Sequence, residues 1–269
     1  MDRNQNIEFV RIAAAFGIVL FHSSAPGSVI GYSGLIAFTA LSTYFANSGA
    51  LKLTKRVLVP WAFWSVFYLG WRYAADGNPF HDGLNPVQSI FYGTHLWFLP
   101  FIFFAILAVS RFKSDRLPLV CAVLTFAFLA ATPWWREVQL SFDPPFVQFL
   151  HARVAAVLRV ACRTKTGMAI STAGLAVCAA WQVGGVSIPY SLGGGAVIAA
   201  MLLPRLRWNV ESMSTCMFGV YLVHVAALGV FNRVTSPETI LTASLAFVAS
   251  FAGVWLAKRF VPASRAVLG

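Results

Sequence analysis

Ile7-Glu8-Phe9-Val10-Arg11-Ile12-Ala13-Ala14-Ala15-Phe16-Gly17-Ile18-Val19-Leu20-Phe21-His22-Ser23-Ser24-Ala25-Pro26 is apolar enough to cross a bilayer, yet deeper than its first turn it holds Arg11 and His22, side chains that lipid rejects. At 100° per residue, the eleven steps between them make three turns plus about 20°. Both therefore share one helix face, roughly 16 Å apart along the axis. An ionisable residue inside a membrane helix costs roughly 2.5 kcal/mol or more at the centre, so such residues face a polar cavity and mark function. A basic anchor near one end and an imidazole deep inside suggest a reaction site.

Apolar runs of similar length recur along the whole chain. The 269 residues are 58% hydrophobic and 11% charged, with a mean hydropathy of +0.72. Soluble domains carry about 25% charged residues. The runs are continuous rather than alternating, so the expected fold is all-α: a polytopic membrane helix bundle of about ten spans. Their expected limits are 7–26, 28–50, 57–75, 93–110, 117–135, 145–162, 167–184, 186–204, 213–231 and 239–257. Nothing resembles a soluble domain or a long linker, so residues 1–269 read as one domain.

The net charge of +11 follows the span pattern. With the N-terminus inside, the inner segments hold Arg3; Lys52, Lys55 and Arg56; Arg111, Lys113 and Arg116; Arg163 and Lys165; Arg205 and Arg207; and Lys258, Arg259 and Arg265. The outer loops hold Arg136 and Arg233 beside Asp76, Asp82, Glu137, Asp143 and Glu238. That positive-inside asymmetry puts both termini in the cytosol and makes the excess charge a topology signal, so no nucleic-acid partner is expected. Span one follows a mixed-charge stretch with no clear cleavage site and is expected to stay in place as an anchor.

Weaker features keep open readings. The segment 145–162 contains Gln148, His151, Arg153 and Arg159, and fits either a cavity-lining or an interfacial helix. Gly193-Gly194-Gly195 suits close helix contact or a break. The connection 76–93, rich in turn residues, serves as a solvated connector or covers an outward-facing site. Cys121, Cys162, Cys178 and Cys216 lack metal-site spacing and read as small apolar fillers, and no metal is expected.

The polar residues within spans set the chemistry. His22 lies about 22 Å from the inner end of its span, in the outer half of the bilayer. It suits a buried hydrogen bond, or a general base that takes a proton from a hydroxyl near neutral pH. His224 sits near mid-membrane with Tyr221 three residues earlier on the same side of its helix. Packed histidine and functional group both fit it. His95 starts span four at the outer surface beside Trp97, where an aromatic belt accounts for the tryptophan better than for the imidazole. His81 reads as a loop residue. Arg11 either snorkels to cytosolic headgroups or binds an anionic ligand, together with the basic rim of Lys52, Lys55 and Arg56. A glycine-rich nucleotide loop, an HExxH motif and a nucleophile elbow are all lacking, which disfavours a pump, a zinc protease and an esterase.

Taken in order, several of these stretches resemble the acyltransferase 3 family of bacterial membrane O-acyltransferases. Ile7-Glu8-Phe9-Val10-Arg11-Ile12-Ala13-Ala14 running to His22 is similar to its opening helix, with arginine and histidine separated by ten residues. Gly93-Thr94-His95-Leu96-Trp97-Phe98-Leu99 resembles its histidine–tryptophan–phenylalanine–leucine span start. Phe218-Gly219-Val220-Tyr221-Leu222-Val223-His224 resembles its late tyrosine–leucine–x–histidine helix. Tyr44-Phe45-Ala46-Asn47-Ser48-Gly49, Lys55-Arg56 and Pro60 are similar to its second and third helices. The likeness covers roughly half the chain, at both ends; 138–209 carries no matching motif.

The resemblance implies a ten-helix enzyme of the bacterial inner membrane that uses acetyl-CoA as acyl donor. Its acceptor is a hydroxyl on a glycan or lipid-linked saccharide, as in exopolysaccharide or lipopolysaccharide O-acetylation. Arg11 and His22 match the family's essential pair, and Arg56, beside Lys55, matches its basic position after the second helix. A second arginine, frequent three residues on, is replaced by Val59. The expected arrangement is a conduit along span one, from the basic inner rim to His22, with His95, Trp97, Tyr221 and His224 as further site residues. Two other classes fit the length and charge: a small ten-helix metabolite transporter, and a non-catalytic membrane partner in polysaccharide assembly. Transporters of that kind usually show two related halves, which are not evident here.

Overall fold

The computed structural model describes residues 3–45, 49–80, 85–91, 95–111, 164–180 and 187–269, with isolated positions between 119 and 131. Every regular element among the described residues is helical. The longer ones are α1 (Gln5–His22), α2 (Ser33–Tyr44), α3 (Val59–Asp76), α4 (Phe98–Arg111), α5 (Lys165–Ala180), α6 (Ser187–Leu202), α7 (Met217–Val234) and α8 (Ile240–Phe260). Among them, α7 and α8 are long and apolar enough to cross a membrane. α8 turns Leu241, Val248 and Trp255 outward, where a helix in lipid would place them. The expected spans 117–135 and 145–162, and with them His151, Arg153 and Arg159, lie outside the described residues or are described only at scattered positions. So do His81, Cys121 and Cys162.

α1 is the hub. It starts where the Asn4 side chain accepts from the Asn6 N–H at 3.0 Å, which satisfies one of the free amides of the first turn. Around it pack α2, α6, α7 and α8. Small residues allow the closest of the helix approaches. A Cβ added to Gly34 of α2 would collide with the Ala14 carbonyl oxygen of α1, and one added to Gly193 of α6 with the Ser33 carbonyl oxygen. Gly193 therefore serves close helix contact while Gly195 faces open space, and α6 runs through the glycine run unbroken.

Polar groups tie the start of α1 to the chain beyond α6. The Asn6 amide donates to the carbonyls of Leu203 at 3.2 Å and Pro204 at 3.0 Å, while its oxygen accepts from the Leu206 N–H at 2.8 Å. Gln5 accepts from the Val210 N–H at 2.9 Å, and Arg3 pairs with Glu211 at 3.2 Å. Lys258, near the end of α8, donates to the Thr215 carbonyl at 2.9 Å. Arg3, Arg205, Arg207 and Lys258 thereby collect at one end of the bundle, in keeping with the charge pattern along the chain.

Two span limits need correction. The run 28–50 is not one helix: a short turn, Ser28–Gly31, precedes α2. The break falls at Gly31-Tyr32-Ser33-Gly34, where Gly31 lies against the backbone of Gly17 and Phe21, and glycine–serine sequences are habitual kink sites. The fourth span opens with a 3-10 turn, His95–Trp97, before α4. That turn carries His95 inward, where it is 8% exposed, so it is not an outer-surface belt residue.

Candidate active site

Four elements bring the imidazoles together. His22 ends α1, His95 opens the turn before α4, His224 lies within α7, and Tyr68 of α3 packs against His95. Ring centroids are 5.1 Å apart for His22 and His224, 5.8 Å for His22 and His95, and 4.9 Å for His95 and His224. Three histidines distant in sequence thus form one triangle. Among the described residues no group of side chains is arranged to hold a metal ion.

Hydrogen bonds fix part of this cluster. His224 is fully buried, and its Nδ1 lies 2.7 Å from the Tyr221 carbonyl. A carbonyl only accepts, so Nδ1 carries the proton and the neutral ring presents a bare lone pair at Nε2. The Tyr221 hydroxyl donates to the His95 carbonyl at 2.5 Å, which holds the 3-10 turn against α7. Tyr68 donates to the Leu222 carbonyl at 2.8 Å and accepts from the Ala226 N–H at 3.3 Å, two groups that pair along the α7 ladder. The Nε2 atoms of His95 and His224 are buried without a partner among the described residues. Such atoms are costly unless something binds them.

Beside His95, though not beside His224, there is open space. His22, His95, Trp97 and Tyr221 line a pocket of about 50 Å³ with Ile18, Phe21, Tyr32, Leu35 and Phe98. At about 10–15 Å³ of such space per water, it admits a few waters or a small polar group. His22 keeps accessible surface, unlike its two partners. A much larger groove of about 720 Å³ between α3, α7 and α8 is walled by apolar residues such as Phe67, Val230 and Gly253. It offers little to chemistry.

The other end of α1 holds Arg11. Its Nη1 donates to both carboxylate oxygens of Glu8, each at 3.1 Å, and its guanidinium lies 5.3 Å from the centre of the Phe45 ring. Ser214 also donates to Glu8, linking this pair to the turn before α7. The side chain of Arg11 is 29% exposed and that of Glu8 5%. Lys52, Lys55 and Arg56 are exposed, the last two on a π-helical turn, Thr54–Leu58, that leads into α3. Among the described residues no hydrogen bond or ion pair engages the side chains of Lys55 or Arg56. An anion approaching this rim meets cations without competing partners.

The face shared by Arg11 and His22 is turned inward, with Ala14, Ala15 and Ile18 between them exposed by only 4%, 2% and 3%. Among the described residues a packed apolar seam therefore lies where an open conduit is expected, and Arg11 does not line the histidine pocket. Apolar residues there close a path that spacing alone leaves open. Glu8, Ser214 and Tyr68 join the site without being singled out by the sequence reading. Only Glu8 carries a signal, its i,i+3 spacing from Arg11.

A family model described as an acyltransferase domain matches residues 4–259. The chain belongs to the acyltransferase 3 family. The match runs through 138–209, where no motif is legible by eye, so the relationship extends across nearly the whole of this acyltransferase. Neither a curated protein nor a solved structure matches it.

Proposed function

We propose that this acyltransferase moves an acetyl or other acyl group from cytosolic acyl-CoA to a hydroxyl of a surface or exported glycan, or of a lipid-linked saccharide. It does so as a single multi-pass domain of the bacterial inner membrane, with both termini in the cytosol. The observation that carries this reading is the convergence of His22, His95 and His224 on one another beside a pocket, where α1 ends. Polar atoms without partners at that depth suit a reacting hydroxyl and carbonyl.

Each end has its own task. Arg11, Lys55 and Arg56 fit the phosphates of the donor, since arginine offers a two-pronged fork for such groups. Bound acyl-CoA supplies the activated acyl carbon, with coenzyme A thiolate as the leaving group. His22 takes the proton from the acceptor hydroxyl as its oxygen attacks the thioester carbonyl. The new C–O bond forms, the C–S bond breaks, and the His22 imidazolium returns the proton to the thiolate. The 50 Å³ pocket and the packed seam at Ala14, Ala15 and Ile18 mean that this chemistry needs a wider form of the protein than the one described.

The test compares surface polysaccharide, by mass spectrometry, from cells with and without this protein. Loss of an acetyl increment supports the proposal. Unaltered polysaccharide with changed uptake of a solute overturns it in favour of a transporter.

A further inference from the structure

The three imidazoles are not equivalent. His22 has access to the pocket, whereas His224 is buried, its Nδ1 is committed to the Tyr221 carbonyl at 2.7 Å, and its Nε2 has no partner among the described residues. Tyr68 braces the same stretch of α7 at Leu222 and Ala226, so His224 sits on backbone held from outside its own helix.

A base must present a bare nitrogen to the proton it takes. In a neutral imidazole the other nitrogen then bears hydrogen and needs an acceptor. Among the described residues no hydrogen bond to the His22 ring fixes its tautomer, and no carboxylate pairs with it. Of the two unpartnered nitrogens beside it, Nε2 of His224 belongs to the nearer ring, with centroids 5.1 Å apart against 5.8 Å for His95. That spacing brings facing nitrogens within hydrogen-bond reach once the rings turn edge to edge; in the form described, they are tilted at 47° and not bonded. Catalytic hydrogen bonds are often long before substrate arrives.

We propose that His224 is a positioning residue. Its Nε2 accepts the N–H of His22, sets the His22 tautomer, and leaves the other His22 nitrogen free to take the hydroxyl proton. The chain of roles is Tyr221 carbonyl, His224, His22, substrate: the base–orienter logic of a catalytic triad, with imidazole in place of carboxylate. A neutral orienter places no additional charge in the membrane interior, where an unpaired carboxylate is costly. His95 lies 4.9 Å from His224 but belongs to another element, and its carbonyl is held by Tyr221, so it frames the pocket wall.

The inference rests on the acyl-transfer reading for its activity readout but not for its spectroscopic one. Full-length protein labelled with ¹⁵N-histidine in detergent micelles is compared as wild type, His224→Leu and His224→Gln, with the His22 signals identified by their loss in His22→Ala. The expected result is a single His22 tautomer in wild type, mixed tautomers in His224→Leu, and recovery toward one in His224→Gln, whose amide oxygen still accepts. Transfer to the acceptor glycan should fall about 10²-fold in kcat for His224→Leu with KM nearly unchanged, and return in part in His224→Gln. An unchanged His22 tautomer in a folded His224→Leu protein overturns the positioning role. Clear tautomer effects in a protein without transferase activity overturn the acyl-transfer reading alone.

Discussion

Glu8 grips Arg11 through both carboxylate oxygens, each 3.1 Å from Nη1, one helical turn apart at the start of α1. Ser214 donates to the same carboxylate. The guanidinium is thereby aimed from within its own helix and fastened to the turn that precedes α7. Replacing Glu8 by Ala leaves a part-buried cation and a buried hydroxyl without partners. The expected loss is about 1–3 kcal/mol, read as a lower unfolding midpoint in detergent. Glu8→Gln, which can still accept from both, should lose less.

His22→Ala should lower acetyl transfer to the glycan by about 10²- to 10⁴-fold, with normal amounts of protein in the membrane. Arg11→Ala should instead raise the KM for acyl-CoA more than it lowers kcat, because Arg11 stands away from the histidine pocket. Initial rates at varied donor concentration separate the two; unchanged transfer in His22→Ala would reject the base.

Asn6→Ala removes an amide that reaches four backbone groups, leaving the Leu206 N–H and the Ala200, Leu203 and Pro204 carbonyls without it. A cost of about 1–3 kcal/mol is expected, with faster hydrogen exchange at Leu206. Asn6→Asp should be worse, since a carboxylate would face the carbonyl oxygens of Ala200, Leu203 and Pro204.

Gly34→Ala drives a methyl group into the Ala14 carbonyl and must separate α1 from α2, costing about 1–3 kcal/mol. Gly70, inside α3, has nothing within 4 Å of its added Cβ. Gly70→Ala should therefore be neutral or raise stability by up to about 1 kcal/mol. Thermal unfolding of the two variants side by side tests the contrast.

Much of the site is legible as separate marks. Arg11, His22, Trp97, Tyr221 and His224 each stand out because polar or amphipathic groups are rare within apolar runs. His95 is marked as a site residue by the family resemblance, but the span pattern puts it at the outer surface, since the 3-10 turn that swings it inward has no strong local signature. Tyr68 is invisible within an aromatic-rich stretch, for its role depends on meeting α7 at Leu222 and Ala226.

Hydropathy and charge are local properties summed along the chain, and they are enough to establish an all-helical fold, the basic end and the inward face of α1. Which histidines meet is a property of contacts between elements: residues 22, 95 and 224 converge only because separate helical segments pack around one another. The same packing closes the seam at Ala14, Ala15 and Ile18, because apolar side chains on an inward face are driven together whether or not a channel would be useful there.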